Sequence, residues 1–267
     1  MITKIIKIFS VFFLIVFLSI LYLSVVGIKT KKFNESITNR ILEINKKINL
    51  DLKDIRFLLK PLSFAANITT KNPKILLGDN ELKISNIKTN VSLKSLLFGE
   101  FLVDELEIST KPIMLSDVIL LARSFKNSTE LFLLDRVIKD GFLVADIKLK
   151  FDENGKIKED YLINGFIKNG KLNFLNQLNV NNLSLNFDIR KNKYSLTKII
   201  TEIKDIKFSS PLIEIGEKKN LFLIKGKILT NEKKFDKDQL HILANFLKNS
   251  NIEKAIFSSE NDFSLNI

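Results

Sequence analysis

From Ile8 to Ile28 the chain reads IFSVFFLIVFLSILYLSVVGI, 21 residues without a charge between Lys7 and Lys29. At about 1.5 Å per residue, a helix of that length just spans the roughly 30 Å hydrocarbon core of a bilayer. A secretory signal has a shorter apolar stretch of about 7–15 residues, and Val25-Val26-Gly27 is a poor cleavage site. Residues 8–28 therefore read as a retained transmembrane anchor. Lys4 and Lys7 precede it, and Lys29, Lys31 and Lys32 follow it. A tail as short as residues 1–7 is hard to translocate, whereas a long following domain crosses largely regardless of charge. This places residues 1–7 in the cytoplasm and residues 29–267 across the membrane, in the periplasm of a bacterium.

Residues 29–49 predict an amphipathic helical connector. Phe33, Ile37, Ile41, Ile44 and Ile48 fall on one helical face, with Asn, Glu, Lys and Arg between them. Such a helix either packs on the domain that follows or lies on lipid, its lysines among anionic headgroups.

Beyond residue 50 the apolar period becomes two. Leu62, Phe64, Ala66 and Ile68 share one side of an extended segment. So do Leu143, Ala145, Ile147, Leu149 and Phe151, and again Leu183, Leu185, Phe187 and Ile189. Asp140-Gly141, Asn154-Gly155 and Asn169-Gly170 carry hairpin chemistry between such runs, so residues 131–174 read as an antiparallel meander. Further strands are expected near 81–93, 101–109, 194–208, 211–216, 221–229 and 263–267. Two helices interrupt them: one capped by Ser116 with Val118, Leu121, Ala122 and Phe125 on a face, and one over about 236–248. Pro61, Pro73, Pro112 and Pro211 fall at element edges.

Composition argues against most chemistry. With no Cys there is no disulfide, thiolate-bound metal or thiol nucleophile. A single histidine, His241, has no second His to assist it, and it reads as structural or surface-facing. Neither GxGxxG nor GxxxxGK[ST] occurs among the 9 glycines. The acidic series Asp135, Asp140, Asp146 and Asp152 alternates with basic residues as a solvated strand face would. Glu100, Asp104 and Glu105 could imitate a carboxylate pair, but they sit at a strand start. The net charge of +12 rests on scattered Lys, with Arg only at positions 40, 56, 123, 136 and 190, and phosphate or base readers favour clustered Arg. No enzyme activity, cofactor, metal or nucleic-acid partner is expected.

About a dozen strands with an apolar side and few helices to cover them admit two solutions. One is a β-sandwich whose sheets bury each other, tethered to the membrane and binding envelope proteins through a sheet edge. The other is an open, curved antiparallel sheet whose apolar face forms a groove for acyl chains. Periodicity leaves both open. The groove-facing candidates are Phe64, Ala66, Ile68, Leu143, Ala145, Ile147, Leu149, Leu183, Leu185, Phe187 and Ile189.

Residues 66–109, ANITTKNPKILLGDNELKISNIKTNVSLKSLLFGEFLVDELEIS, resemble the opening of AsmA-like proteins of Gram-negative envelopes. The "sLL-G" signature is matched by Ser95, Leu96, Leu97, Phe98, Gly99 and Glu100, followed by Phe101, Val103, Leu106 and Ile108. YLINGFIKNGKLNF (161–174) and the 208–228 run are similar to the family's later strands. The resemblance implies an inner-membrane-anchored periplasmic β-groove over residues 50–267, related to TamB-like and chorein-like lipid-transfer proteins. It would shield phospholipid and assist transport between inner and outer membranes or outer-membrane assembly. A dozen strands at about 4.8 Å make a groove of roughly 50–60 Å, short for an envelope. Residues 50–267 are therefore expected to be part of a longer groove or to work with other envelope proteins.

Overall fold

The computed structural model describes residues 2–31, 34–78, 80–94, 103–125, 128–152, 156–174, 178–203, 206–218, 221–236 and 254–266. The protein is mainly β, as the alternation implies, and of the two arrangements that alternation allows it takes the open antiparallel sheet, with a few helices and an apolar amino-terminal helix. It divides into two compact units, Met1–Lys111 with Asp146–Tyr161, and Pro112–Ala145 with Leu162–Ile267.

In the first unit, α1 (Ile2–Val25) stops short of the end of the apolar run. The Val26 and Gly27 amides both donate to the Tyr22 carbonyl, at 2.8 and 3.1 Å. Gly27 has φ +72°, the left-handed cap that ends helices. A Cβ there would sit 2.2 Å from the Phe57 carbonyl oxygen, so only glycine fits. Ile28 already belongs to β1 (Ile28–Thr30). The connector helix is likewise shorter than its apolar spacing suggests. It is α2 (Asn34–Ile44), and Ile48 sits in β2 (Ile48–Asp51); Phe33 lies outside the described residues. The Asn34 amide donates to the Leu52 and Lys53 carbonyls at 3.0 and 3.1 Å, and Thr38 Oγ1 donates to Leu50 at 2.9 Å. These bonds seat α2 on the sheet, and Ile37 packs on the core of Ile55, Ile68 and Val91.

That core lies in a three-armed meander. Its arms are β2 with β3 (Ile55–Lys60), β4 (Ala65–Lys71) with β5 (Lys74–Leu77), and β6 (Asn80–Ser92). Ile48 pairs with Leu77, Asp51 with Lys74, Ile55 with Thr70 and Lys60 with Ala65, with no residue inserted anywhere along the arm. The third arm keeps step equally, from Ala65 with Ser92 to Leu77 with Asn80. Pro73, which has no N–H to give, marks the break between β4 and β5, and the register survives it. β7 (Val103–Thr110) and the end of β9 (Ile138–Lys150) complete the unit, in the order β1-β3-β4-β6-β7-β9. Leu62 and Phe64 do not share a strand with Ala66 and Ile68. Pro61 opens a 3-10 turn, Pro61–Ser63, closed by the Phe64 amide on the Pro61 carbonyl at 3.2 Å, and β4 begins only at Ala65.

The second unit opens with β8 (Ile113–Met114), α3 (Leu115–Phe125) and α4 (Thr129–Val137). α3 matches the spacing of its apolar residues. α4 displaces the start of the expected meander, because Ser128 Oγ caps the Leu131 amide and favours helix over strand. Arg123 on α3 pairs with Asp135 on α4, and Phe132 lies under the guanidinium groups of Arg123 and Arg136. The start of β9 then leads through β10 (Leu162–Phe174), β11 (Leu178–Arg190), β12 (Lys193–Ile203), β13 (Ile206–Lys218), β14 (Leu221–Asp236) and β15 (Lys254–Asn266), each paired with the next.

Asp140-Gly141 and Asn169-Gly170 are not turns; both lie inside strands. Asn169, Asn182 and Lys198 have φ of 55°, 55° and 52°, and the register shifts by a residue beside each. These are β-bulges on three adjacent strands, which bend the sheet. The tight turn carries no glycine: Lys191 and Asn192 join Arg190 to its partner Lys193. The apolar run 194–208 divides between β12 and β13, and β13 runs through Pro211. Asn154-Gly155, the helix expected over about 236–248 and His241 lie outside the described residues, and Asp236 ends β14.

Candidate functional site

Residues paired across neighbouring strands project to the same side of a sheet, so the register sorts every side chain. In the first unit two rows cross five strands: Ile55–Thr70–Ile87–Ile108–Ile147 and Phe57–Ile68–Thr89–Leu106–Leu149. Both are aliphatic apart from the threonines and Phe57. The intervening row, on the other side, reads Arg56–Thr69–Lys88–Glu107–Lys148. There Lys148 bridges Glu105 and Glu107, and Lys88 Nζ stands 3.6 Å from Glu107. Burial opposes ionisation of Glu107, but the Lys148 hydrogen bond and the charges of Lys148 and Lys88 outweigh it and lower its pKa. Hydrogen bonds to Glu105 and Glu107 raise that of Lys148.

The second unit repeats the pattern over six strands. Ile163–Ile189–Tyr194–Ile215–Ile224–Leu265 forms one row and Gly165–Phe187–Leu196–Ile213–Gly226–Phe263 the next on the same side. Between them, facing the opposite way, runs Asn164–Asp188–Ser195–Glu214–Lys225–Ser264. The two glycines accommodate rings: a Cβ on Gly165 would meet the Phe187 ring at 2.8 Å, and one on Gly226 the Phe263 ring at 2.9 Å. Most side chains of these rows are half-buried; Leu265 is exposed and Phe187 is 8% exposed. The described strands belong to one hydrogen-bonded open sheet, with β2, β5 and β8 branching off its main path.

The expected groove residues distribute as follows. In the first unit, Ala66, Ile68, Ile147 and Leu149 lie on the aliphatic face, while Phe64 sits in the turn. In the second unit, Leu185, Phe187 and Ile189 share the aliphatic side of β11, and Leu183 faces Gly170 between the bulges at Asn169 and Asn182. Leu143 pairs with Ile113, and the Ala145 Cα lies 2.9 Å from where a Gly165 Cβ would stand. Ser95 to Glu100 lie outside the described residues. The rows also take in Ile163, Leu196, Ile213, Ile215, Ile224 and Phe263. Their alternation is visible in the sequence, but only the register shows that they align.

Chemically, the aliphatic rows offer dispersion contact and little else. Among the described residues no group of three or more His, Asp or Glu could hold a metal ion. Glu105 and Glu107 are engaged with lysine, and Asp188 with Arg190 Nε at 2.9 Å.

These features define a class: an antiparallel β protein whose two units each carry aliphatic rows on their sheet, and whose amino-terminal helix is long and apolar enough to cross a membrane. Comparison with protein-family models, curated proteins and solved structures returns no match.

Proposed function

We propose that the chain is a non-enzymatic, AsmA-like lipid-binding protein of the bacterial inner membrane whose β region stands in the periplasm. Its aliphatic sheet faces shield phospholipid acyl chains, assisting lipid transport between the two membranes or outer-membrane assembly. The observation that carries this reading is the pair of apolar rows crossing six strands of the second unit, with a polar row facing the opposite way between them, in an open sheet. Each methylene laid on such a surface gains about 0.8 kcal/mol, and a uniform aliphatic row lets a chain slide without a specific stop. The headgroup stays in water, and the apolar contact is passive.

The test is lipid content. The full chain is purified in detergent, exchanged into amphipol and examined by native mass spectrometry and lipid extraction. Phospholipid beyond the level carried by the isolated anchor helix supports the reading. A folded protein without it refutes it. The other reading, a scaffold for envelope proteins, draws on β15, 13 residues long and the last strand of the path among the described residues, a position suited to strand addition.

A further inference from the structure

The turn between β3 and β4 displays two large apolar side chains to solvent: Leu62 is 103% exposed and Phe64 77%. Phe64 also holds a left-handed backbone, φ 46° and ψ 42°. A bulky residue there is an outlier, since glycine and asparagine take that conformation at least cost. The other non-glycine residues with positive φ among those described are four asparagines and Lys198. Nothing in the packing calls for the ring: β4 begins at Ala65, and the Phe64 carbonyl is used through its backbone, accepting from the Leu93 amide at 2.8 Å.

The position of the turn supplies the reason. β1 runs antiparallel to β3, with Ile28 opposite Phe57 and Thr30 opposite Ile55. The chain therefore enters the sheet from the end at which β3 finishes, and that end carries the turn. The carbonyls of Val25 and Val26, at the end of α1, accept from Arg56, and Gly27 lies against Leu58 on the way to the turn. From Leu58, beside Gly27, to Lys60 is about 7 Å of strand, and the turn lies just beyond. Lys60 and Lys94 flank it, both exposed, as cations at a headgroup layer are.

We propose that the Pro61–Phe64 turn inserts Leu62 and Phe64 into the interface of the membrane that α1 crosses, so the first unit is held at two points. The proposal rests on α1 spanning that membrane.

The chain has no cysteine, so a single one can be placed and labelled at will. In the full chain reconstituted in vesicles of phosphatidylethanolamine and phosphatidylglycerol, an environment-sensitive fluorophore is attached to Ser63→Cys. Parallel proteins carry it at Leu14→Cys inside α1 and at Asn80→Cys at the far end of the β4–β6 arm. The Ser63 label should be quenched by lipids carrying a nitroxide near the headgroup, the Leu14 label by lipids carrying it deep in the acyl chain, and the Asn80 label by neither. Adding Leu62→Asp and Phe64→Asp should lower membrane-inserted turn at least about tenfold, because each apolar side chain alone is worth about that factor. Both side chains are exposed, so the fold survives their replacement. Quenching at Leu14 with none at Ser63 would overturn the proposal and leave the spanning helix intact. Loss of quenching at Leu14 would overturn both. Ser63 quenching that persists in the double variant would show that the label, and not the turn, seeks the membrane.

Discussion

Arg56 caps the carboxyl end of α1: its Nε and Nη2 donate to the Val26 carbonyl at 3.1 and 2.8 Å, and Nη2 reaches the Val25 carbonyl at 3.3 Å. These are orphan acceptors of the last helical turn, at the negative end of the helix dipole. The cap comes from a strand 30 residues away, so the sheet and not the local chain fixes how the anchor leaves the domain. Arg56→Ala should destabilise the detergent-solubilised protein by about 1–2 kcal/mol, the lower part of the range for charged hydrogen bonds because the site is exposed. Arg56→Lys should recover less than half of that, since an ammonium cannot fork between two carbonyls. Thermal melts followed by circular dichroism read both, and an unchanged melt in the alanine variant would show the cap to be inert.

Gly165 is required by space. A Cβ there would stand 2.1 Å from the Val144 carbonyl oxygen and 2.8 Å from the Phe187 ring. Gly216, on β13, has nothing within 4 Å. Gly165→Ala should cost about 2–4 kcal/mol, because backbone oxygen cannot move aside as a side chain can. Gly216→Ala should fall within about 0.5 kcal/mol of wild type. Equal effects from the two, measured by denaturant titration, would contradict the packing of β9 against β10.

The ion cluster of Glu105, Glu107 and Lys148 sets a pH signature. Glu107 titrates below its ordinary 4.5 in the folded protein, so the unfolded chain takes up that proton first as pH falls. Its contribution is complete above 4.5 and lost as the pH drops through the folded value. Lys148 titrates above its ordinary 10.5, so its contribution is complete below 10.5 and lost as pH rises through the folded value. The stability difference between wild type and Glu107→Gln should therefore be constant from about pH 6 to 9 and shrink below about pH 4. A difference that is unchanged at pH 3 would show that the pairing contributes nothing.

Much of this fold is legible in the sequence where period and side agree. Leu185, Phe187 and Ile189 alternate with Asn186 and Asp188, and the structure places them on opposite sides of β11. Dipeptides misled where the chain uses asparagine for bulges: Asn169-Gly170 has hairpin chemistry, yet Asn169 supplies its left-handed φ in mid-strand. The turn at Lys191–Asn192 has no glycine to announce it. Alternation also overran its limits at Leu62 and Phe64, where Pro61 had already turned the chain. Nothing local could reveal the Arg56 cap or the alignment of Ile163 with Ile189 and Tyr194, because pairing partners are set by register across distant segments.

The acyl-chain reading is sharpest where burial differs along the aliphatic faces. Ile147 is half-buried on the first unit's face beside Ile108, whereas Phe187 is 8% exposed with its ring over Gly165. A carboxylate at position 147 can draw water along an open face, so Ile147→Asp should cost about 1–2 kcal/mol and leave the sheet folded. At position 187 the same group would be a buried, unpaired ion that also vacates the space over Gly165. Phe187→Asp should cost about 3 kcal/mol or more and melt the second unit near room temperature. Ile215, half-buried in the row Tyr194–Ile215–Ile224, gives the corresponding open position in the second unit. If the faces hold acyl chains, Ile147→Asp and Ile215→Asp should each reduce bound phospholipid severalfold while their circular dichroism stays native. A folded Ile215→Asp protein with undiminished lipid would remove the second unit's rows from the binding surface. If both half-buried variants unfold, the rows are dry core, and the sheet is closed against something other than lipid.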